Sequence, residues 1–74
     1  MKLKELRKLL TDGVLISLYD EKIENDNKYI FSNKPILDVE HLLLQKYRTK
    51  DVKVITTFIT NEFEEPRPVL FIGI

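Results

Sequence analysis

The spacing of apolar and polar positions divides the chain into six predicted elements, in the order helix, strand, strand, helix, strand, strand. Leucines recur every three or four residues through the first ten residues, which is the spacing of one face of an amphipathic helix. The sequence Thr11-Asp12-Gly13 follows, and Gly13 suits the left-handed conformation that often ends a helix. We therefore predict that the first helix occupies the first ten residues.

Two stretches in the first half of the chain alternate with a period of two, as half-buried strands do. They are Val14 to Tyr19 and Lys28 to Ser32. The polar connection between them contains the turn signal Asn25-Asp26-Asn27. The pattern predicts an antiparallel hairpin with a long connection.

The second half is predicted to start with a helix that Asp38 caps at its N-terminus. The β-branched stretch from Val52 to Thr60 is the strongest predicted strand. After a charged loop at 61–68 comes the last strand, 69–74, which is apolar on both faces. We expect that strand to lie at the centre of the sheet or to be covered on both sides.

Short connections favour antiparallel pairing of strands that are neighbours in sequence. The predicted fold is α+β, with a four-stranded, mainly antiparallel sheet and two helices on one face. With 74 residues, the chain is expected to form a single domain, 1–74, with a modest core.

An open sheet has two edges, and a long β-branched strand at an edge offers backbone groups to a partner. We therefore expect a homodimer, formed by sheet extension or through the sheet face that the helices leave uncovered. Candidates for that face are Tyr19, Tyr29 and Ile30.

Composition narrows the classes of function. Twelve basic and twelve acidic residues give a net charge of zero, whereas proteins that mainly bind phosphate backbones carry a basic excess. The chain has no cysteine, which excludes disulfides, thiolate metal sites and cysteine nucleophiles. The longest apolar run, 69–72, is far shorter than the roughly 20 residues of a membrane span. We expect no membrane partner and a cytoplasmic location.

The residues offer little for catalysis. His41 is the only histidine, and the carboxylates near it lack the spacing of a metal-binding motif. The two glycines, Gly13 and Gly73, form no phosphate-binding loop, and neither serine lies in a nucleophile elbow. We therefore expect no enzyme, no cofactor, and no catalytic, cofactor-binding or metal-binding residues.

The charged loop is a candidate protein-binding tip, because it places an aromatic residue among carboxylates. Aromatic side chains anchor interfaces, and flanking charges steer association. The alternative is that the aromatic ring folds back to cover the core beneath the loop. The candidate residues are Glu62, Phe63, Glu64 and Glu65.

The basic side of the first helix is an alternative, nucleic-acid-binding face. The zero net charge and the lack of interleaved aromatic residues favour a solvated helix face instead. The residues of this alternative face are Lys2, Lys4, Arg7 and Lys8.

About the first twenty residues carry a resemblance to a known class of proteins. They read Met1-Lys2-Leu3-Lys4-Glu5-Leu6, then Leu9-Leu10, Asp12-Gly13 and Ile16-Ser17-Leu18-Tyr19-Asp20. This short leucine helix, turn and strand ending in Tyr-Asp resembles the opening of small uncharacterised bacteriophage and prophage proteins of Gram-positive bacteria. The last strand lacks the acidic alternation of those proteins, and no functional residue carries over.

The resemblance implies a small phage accessory protein, a class that often inhibits or redirects host proteins, antiviral defences included. We therefore expect a non-enzymatic protein that binds and modulates a host protein, with counter-defence inhibition as one form of this. One alternative is a nucleic-acid-binding accessory protein that uses the basic first helix. Another is a self-assembling structural subunit, or an oligomer that sequesters a small ligand.

Overall fold

The computed structural model of the protein describes residues 1–23 and 28–74. The predicted turn at Asn25-Asp26-Asn27 therefore lies outside the described residues. The helix and the strands are α1 (Leu3–Leu9), β1 (Leu15–Tyr19), β2 (Tyr29–Pro35), β3 (Val54–Thr60) and β4 (Arg67–Gly73). Between β2 and β3 lie a 3-10 turn, Ile36–Asp38, and a π-helical segment, Leu42–Lys46.

The four strands form one mixed sheet in the order β2-β1-β4-β3. The pairs β1–β2 and β3–β4 are antiparallel, as the short connections predict, whereas β1 and β4 run parallel at the centre. The α+β class and the four-stranded sheet are thus confirmed, and the central pair makes the sheet mixed. The central position of β4 confirms the expectation drawn from its two apolar faces.

The regular second helix predicted from Asp38 is wrong in detail. Asp38 lies inside the 3-10 turn, which starts earlier because the Ile36 N–H donates to the Val14 carbonyl at 3.0 Å. Farther on, the Tyr47 N–H reaches back five residues to the Leu42 carbonyl at 2.9 Å, which gives the wide π-type turn. The helical pattern of the sequence therefore forms a 3-10 turn and a π-helical segment in place of one regular α-helix.

The core lies between the sheet and both helical stretches. Leu3 and Leu6 of α1 pack with Leu43 of the π-helical segment, and the backbone N–H of Leu3 donates to the Lys50 carbonyl at 2.9 Å. The two helical stretches therefore cover the same sheet face, as expected, and the opposite face is called the open face below. The other core residues are Ile16, Leu18, Ile36, Val39, Ile72 and Ile74.

The end of α1 differs from the prediction. Leu10 is already extended, and neither glycine of the chain has a positive φ, so Gly13 does not end the helix in a left-handed conformation. The non-glycine residues with positive φ in the described ranges are Lys28, at 56°, and Asn33, at 53°. Both belong to β2 or precede it directly, so the irregular backbone is concentrated at that strand.

Candidate interaction surfaces

β3 is one edge of the sheet and pairs with β4 without a break. All seven of its residues have a partner, from Val54 opposite Gly73 to Thr60 opposite Arg67. Residues opposite each other in a ladder share a face of the sheet. Ile55, opposite the core residue Ile72, therefore lies on the helix side, and successive residues of β3 alternate between the two faces.

Apolar side chains are exposed on both faces of β3. The exposed fraction is 48% for Ile55 and 62% for Ile59 on the helix side, and 50% for Val54 and 37% for Phe58 on the open face. From Val54 to Thr60 the sequence contains no charged residue, proline or glycine. Edge strands of monomeric proteins usually carry such residues or bulges, which prevent pairing with another chain. β3 lacks these protections.

β2 forms the opposite edge of the sheet and carries features that prevent pairing with another chain. Its register with β1 shifts twice, once between Ile16 and Leu18 and again between Leu18 and Tyr19. Its last two residues are Lys34 and Pro35, which discourage the addition of a strand. The two edges of the sheet therefore differ sharply in their capacity to pair.

A polar network lies on the open face and links the two outer strands. The Asn33 N–H donates to Ser17 Oγ at 2.9 Å, and Ser17 Oγ donates to Asn33 Oδ1 at 3.1 Å. Asn33 Nδ2 donates to Thr60 Oγ1 at 3.3 Å and to Glu62 Oε2 at 2.7 Å. Ser17 is fully buried, and Thr60 is nearly so.

This network shows that the sheet curves over its open face. Asn33 belongs to β2 and Thr60 to β3, and two strands separate β2 from β3. Three strand spacings in a flat sheet would place β2 and β3 about 14 Å apart, so their side chains meet only because the sheet bends. The predicted second strand ends at Ser32, whereas β2 continues through Asn33 to Pro35. The tolerance of asparagine for positive φ was the one signal in the sequence for the role of Asn33.

The predicted acidic tip is exposed, but its residues have different roles. Glu62 belongs to the polar network through Asn33. The Arg67 guanidinium lies 5.3 Å from the centroid of the Phe63 ring, and Phe63 is not part of the core cluster. Glu64 and Glu65 are exposed to solvent. A cation–π contact therefore holds the Phe63 ring against Arg67, the first residue of β4.

The basic residues of the first helix do not form one open cationic patch. Lys2 Nζ lies 2.8 Å from Asp51 Oδ1, and the Lys2 ammonium lowers the pKa of the Asp51 carboxyl through this hydrogen bond. Arg7 lies 2.9 Å from both Asp12 and Glu40, and the hydrogen bond with Asp12 is the main cause of the raised pKa of Arg7. Lys4 and Lys8 are exposed.

An aromatic cluster borders an open cleft on the open face. The Tyr19 ring lies 5.5 Å from that of Phe71 and 5.6 Å from that of Tyr29. Ile30, expected on the same face, packs against the core instead. The cleft has a volume of about 480 Å³. Gly73 lines it, and a Cβ at this position would lie only 3.3 Å from the Cβ of Val54.

The described part of the chain contains no group of three or more histidine or acidic side chains that could hold a metal ion. His41 is exposed. No helix in the described ranges is long and apolar enough to cross a membrane.

Comparisons with known proteins do not place the chain in a family: no protein-family model matches it, nor does any curated protein or solved structure. The interpretation of the surfaces therefore depends on their geometry and chemistry.

Proposed function

We propose that the chain is a small, non-enzymatic binding protein of the phage accessory type, which pairs with another protein chain along β3 and so modulates a host protein in the host cytoplasm. The observation that carries this proposal is the unprotected apolar edge at β3. A strand that pairs there gains main-chain hydrogen bonds and side-chain contacts on both faces.

Side-chain burial adds to the main-chain bonds. Ile55 and Ile59 lie on one face and Phe58 on the other, so a partner strand would cover apolar area on both sides of the edge. Burying apolar area contributes about 25 cal/mol per Å². The acidic tip follows β3 directly, where Glu64 and Glu65 would steer a basic partner toward the edge.

Affinity capture from a bacterial lysate, with and without nuclease, tests this proposal. The matched variants are Ile59→Lys, which places a charge on β3, and Leu9→Lys, which places a charge on a similarly exposed leucine of α1. We expect a stoichiometric protein partner that survives nuclease and is lost with Ile59→Lys but retained with Leu9→Lys. Retention by both variants would contradict a role for β3.

The same experiment separates the other candidates. Recovery that disappears with nuclease would favour the basic helix face, and salt would then weaken it steeply. Loss of binding on Phe63→Ala combined with Glu64→Lys and Glu65→Lys, with no effect of Ile59→Lys, would move the binding surface to the acidic tip. Glu62 stays unchanged in that variant because it holds Asn33.

A further inference from the structure

We infer that, in the purified protein, β3 pairs with a second copy of this protein, aligned antiparallel about a two-fold axis at Thr57. This inference rests on the proposed function, because it uses the same edge, and a host protein that binds β3 takes the place of the second copy. It adds the partner of β3 in the absence of the host protein, and the register of that pairing. Three features of β3 support it: the direction of its backbone groups, its symmetry and the charges at its two ends.

The direction of the backbone groups follows from the ladder. The Ile74 N–H donates to the Tyr19 carbonyl at 2.8 Å, so the backbone of Ile74 faces β1. Residues alternate along a strand, so Gly73 faces β3 and, through their pairing, Val54 faces β4. Continuing the alternation directs the N–H and C=O groups of three residues of β3 away from the sheet. They are Ile55, Thr57 and Ile59.

These three residues are placed symmetrically in the strand. Thr57 is the middle residue of Val54–Thr60, and the other two lie two residues to either side. An antiparallel copy centred on Thr57 therefore pairs Ile55 with Ile59 of the second copy, and Thr57 with its own counterpart. Each such pair exchanges two hydrogen bonds, and all seven residues of both strands are opposed.

In this register, the side chains that lie opposite each other in the two copies are compatible. On the helix side, each exposed isoleucine meets an exposed isoleucine of the other copy, and the two Thr57 side chains meet at the axis. On the open face, Thr56 meets Phe58 of the other copy, and Val54 meets Thr60. Pairs of β-branched and aromatic residues stabilise neighbouring strands, and no charges of like sign are opposed within the strands.

The flanking charges favour the antiparallel direction. Lys53 precedes β3 and Glu62 follows it, with more lysines on the first side and further glutamates on the second. Antiparallel pairing brings Lys53 of each copy toward Asn61 and Glu62 of the other. The zero net charge of the chain means that two copies do not repel each other overall.

The first test is the mass of the purified protein, measured by analytical ultracentrifugation at increasing concentration. We expect a dimer, and we expect Ile59→Lys to raise its dissociation constant roughly 100-fold, since two symmetric contacts each lose apolar burial worth about tenfold. Leu9→Lys should leave the constant unchanged. Circular dichroism confirms that each variant is folded.

The second test fixes the register by cross-linking. Because the chain has no cysteine, a single introduced thiol can report on one position. Under mild oxidation, Thr57→Cys should give a disulfide-linked dimer, because residues paired at the axis lie within disulfide distance. Ser32→Cys, exposed on the β2 edge, is the matched control and should not.

The outcomes distinguish this inference from the proposed function. A protein that stays monomeric at all concentrations would overturn the dimer, and β3-dependent capture of a different protein would then leave the proposed function standing. A dimer that tolerates Ile59→Lys and does not cross-link through Thr57→Cys would place the interface elsewhere and also overturn the inference. A monomer whose capture does not depend on β3 would overturn both.

Discussion

At the scale of single residues, Asn33 connects most of the open face. Its left-handed backbone creates the irregularity in β2, and its side chain links Ser17 to Thr60 and Glu62. One asparagine therefore shapes the β2 edge and also holds the curvature of the sheet. Removal of its side chain should affect stability in two separable ways.

We predict that Asn33→Ala destabilises the protein more than Asn33→Gly does. Both variants lose the side-chain hydrogen bonds, worth about 0.5–1.5 kcal/mol each. Alanine also has to adopt a positive φ, which adds about 1 kcal/mol, whereas glycine adopts it without steric cost. Urea unfolding of the two variants measures the difference. Equal stabilities would mean that the backbone relaxes away from the left-handed conformation.

The ion pair between Lys2 and Asp51 should make stability depend on pH. Its hydrogen bond lowers the pKa of Asp51 in the folded protein below the unfolded value of about 3.9. The stabilisation is therefore present above about pH 4 and is lost as the pH falls through the folded pKa. Unfolding curves across this range should show a smaller acid-induced loss for Asp51→Asn than for the unchanged chain. Identical pH profiles would contradict a role for this pair.

The contacts of individual side chains were harder to predict from the sequence than the strands or the fold class. The carboxylates of the charged loop are exposed, as expected for groups that are costly to bury, and Phe63 does not fold back over the core. The contact between Phe63 and Arg67 and the network around Asn33 were missed, since both depend on which loop comes to lie over which strand. Asn33 and Glu62 are 29 residues apart, and no local pattern connects them.

At the scale of elements, the contrast between the two sheet edges yields a prediction about proline. If the Thr57 N–H points away from the sheet, Thr57→Pro removes no bond within the protomer and blocks only the addition of a strand. The Thr56 N–H faces β4, so Thr56→Pro removes a ladder hydrogen bond and leaves a carbonyl of β4 without its donor, which should cost about 1–3 kcal/mol of stability.

Both proline variants are best compared as monomers, at concentrations where the unchanged chain also dissociates. We expect Thr57→Pro to unfold near the denaturant midpoint of the monomeric unchanged chain and to fail to associate. Thr56→Pro should unfold at a clearly lower midpoint. The reverse order would show that the backbone of β3 has the opposite phase and would move the axis away from Thr57.

Strands were predicted well because alternation with a period of two is a local property that survives folding. β1 and β3 lie within the stretches that the sequence indicated. β4 begins at Arg67, earlier than the predicted start at 69, and β2 continues to Pro35, past the predicted end at Ser32. The second helix was predicted less well. Ile36 at its start is fully buried, and the Ile36 N–H donates to the carbonyl of Val14, so the start of that stretch depends on contacts that are distant in sequence.

At the scale of the whole molecule, a domain of 74 residues has little stability to spare, and association through β3 would add to it. We therefore predict that the midpoint of thermal unfolding rises with protein concentration. Ile59→Lys should remove this dependence while leaving the midpoint at low concentration nearly unchanged. Calorimetry over a wide concentration range measures it, and a constant midpoint for the unchanged chain would argue against the dimer.

The sequence predicted the fold class and the positions of both helical stretches on one face, but not the parallel pairing of β1 with β4. That pairing joins Leu15 to Val69, near opposite ends of the described chain. Local patterns specify which residues form strands and which faces are apolar. They do not specify which of several compatible strands becomes the neighbour, because that choice depends on packing the whole core at once.

The inequality of the two sheet edges also sets a limit on growth. A protein with two adhesive edges can polymerise without end, as amyloid and other fibrous assemblies do. Here β2 has an irregular register and ends in a lysine and a proline, so it disfavours the addition of another strand. If two protomers join at β3, both outer edges of the joined sheet are β2 strands. The assembly then stops at two protomers and eight strands, and β3 can pair with another chain without leading to fibrils.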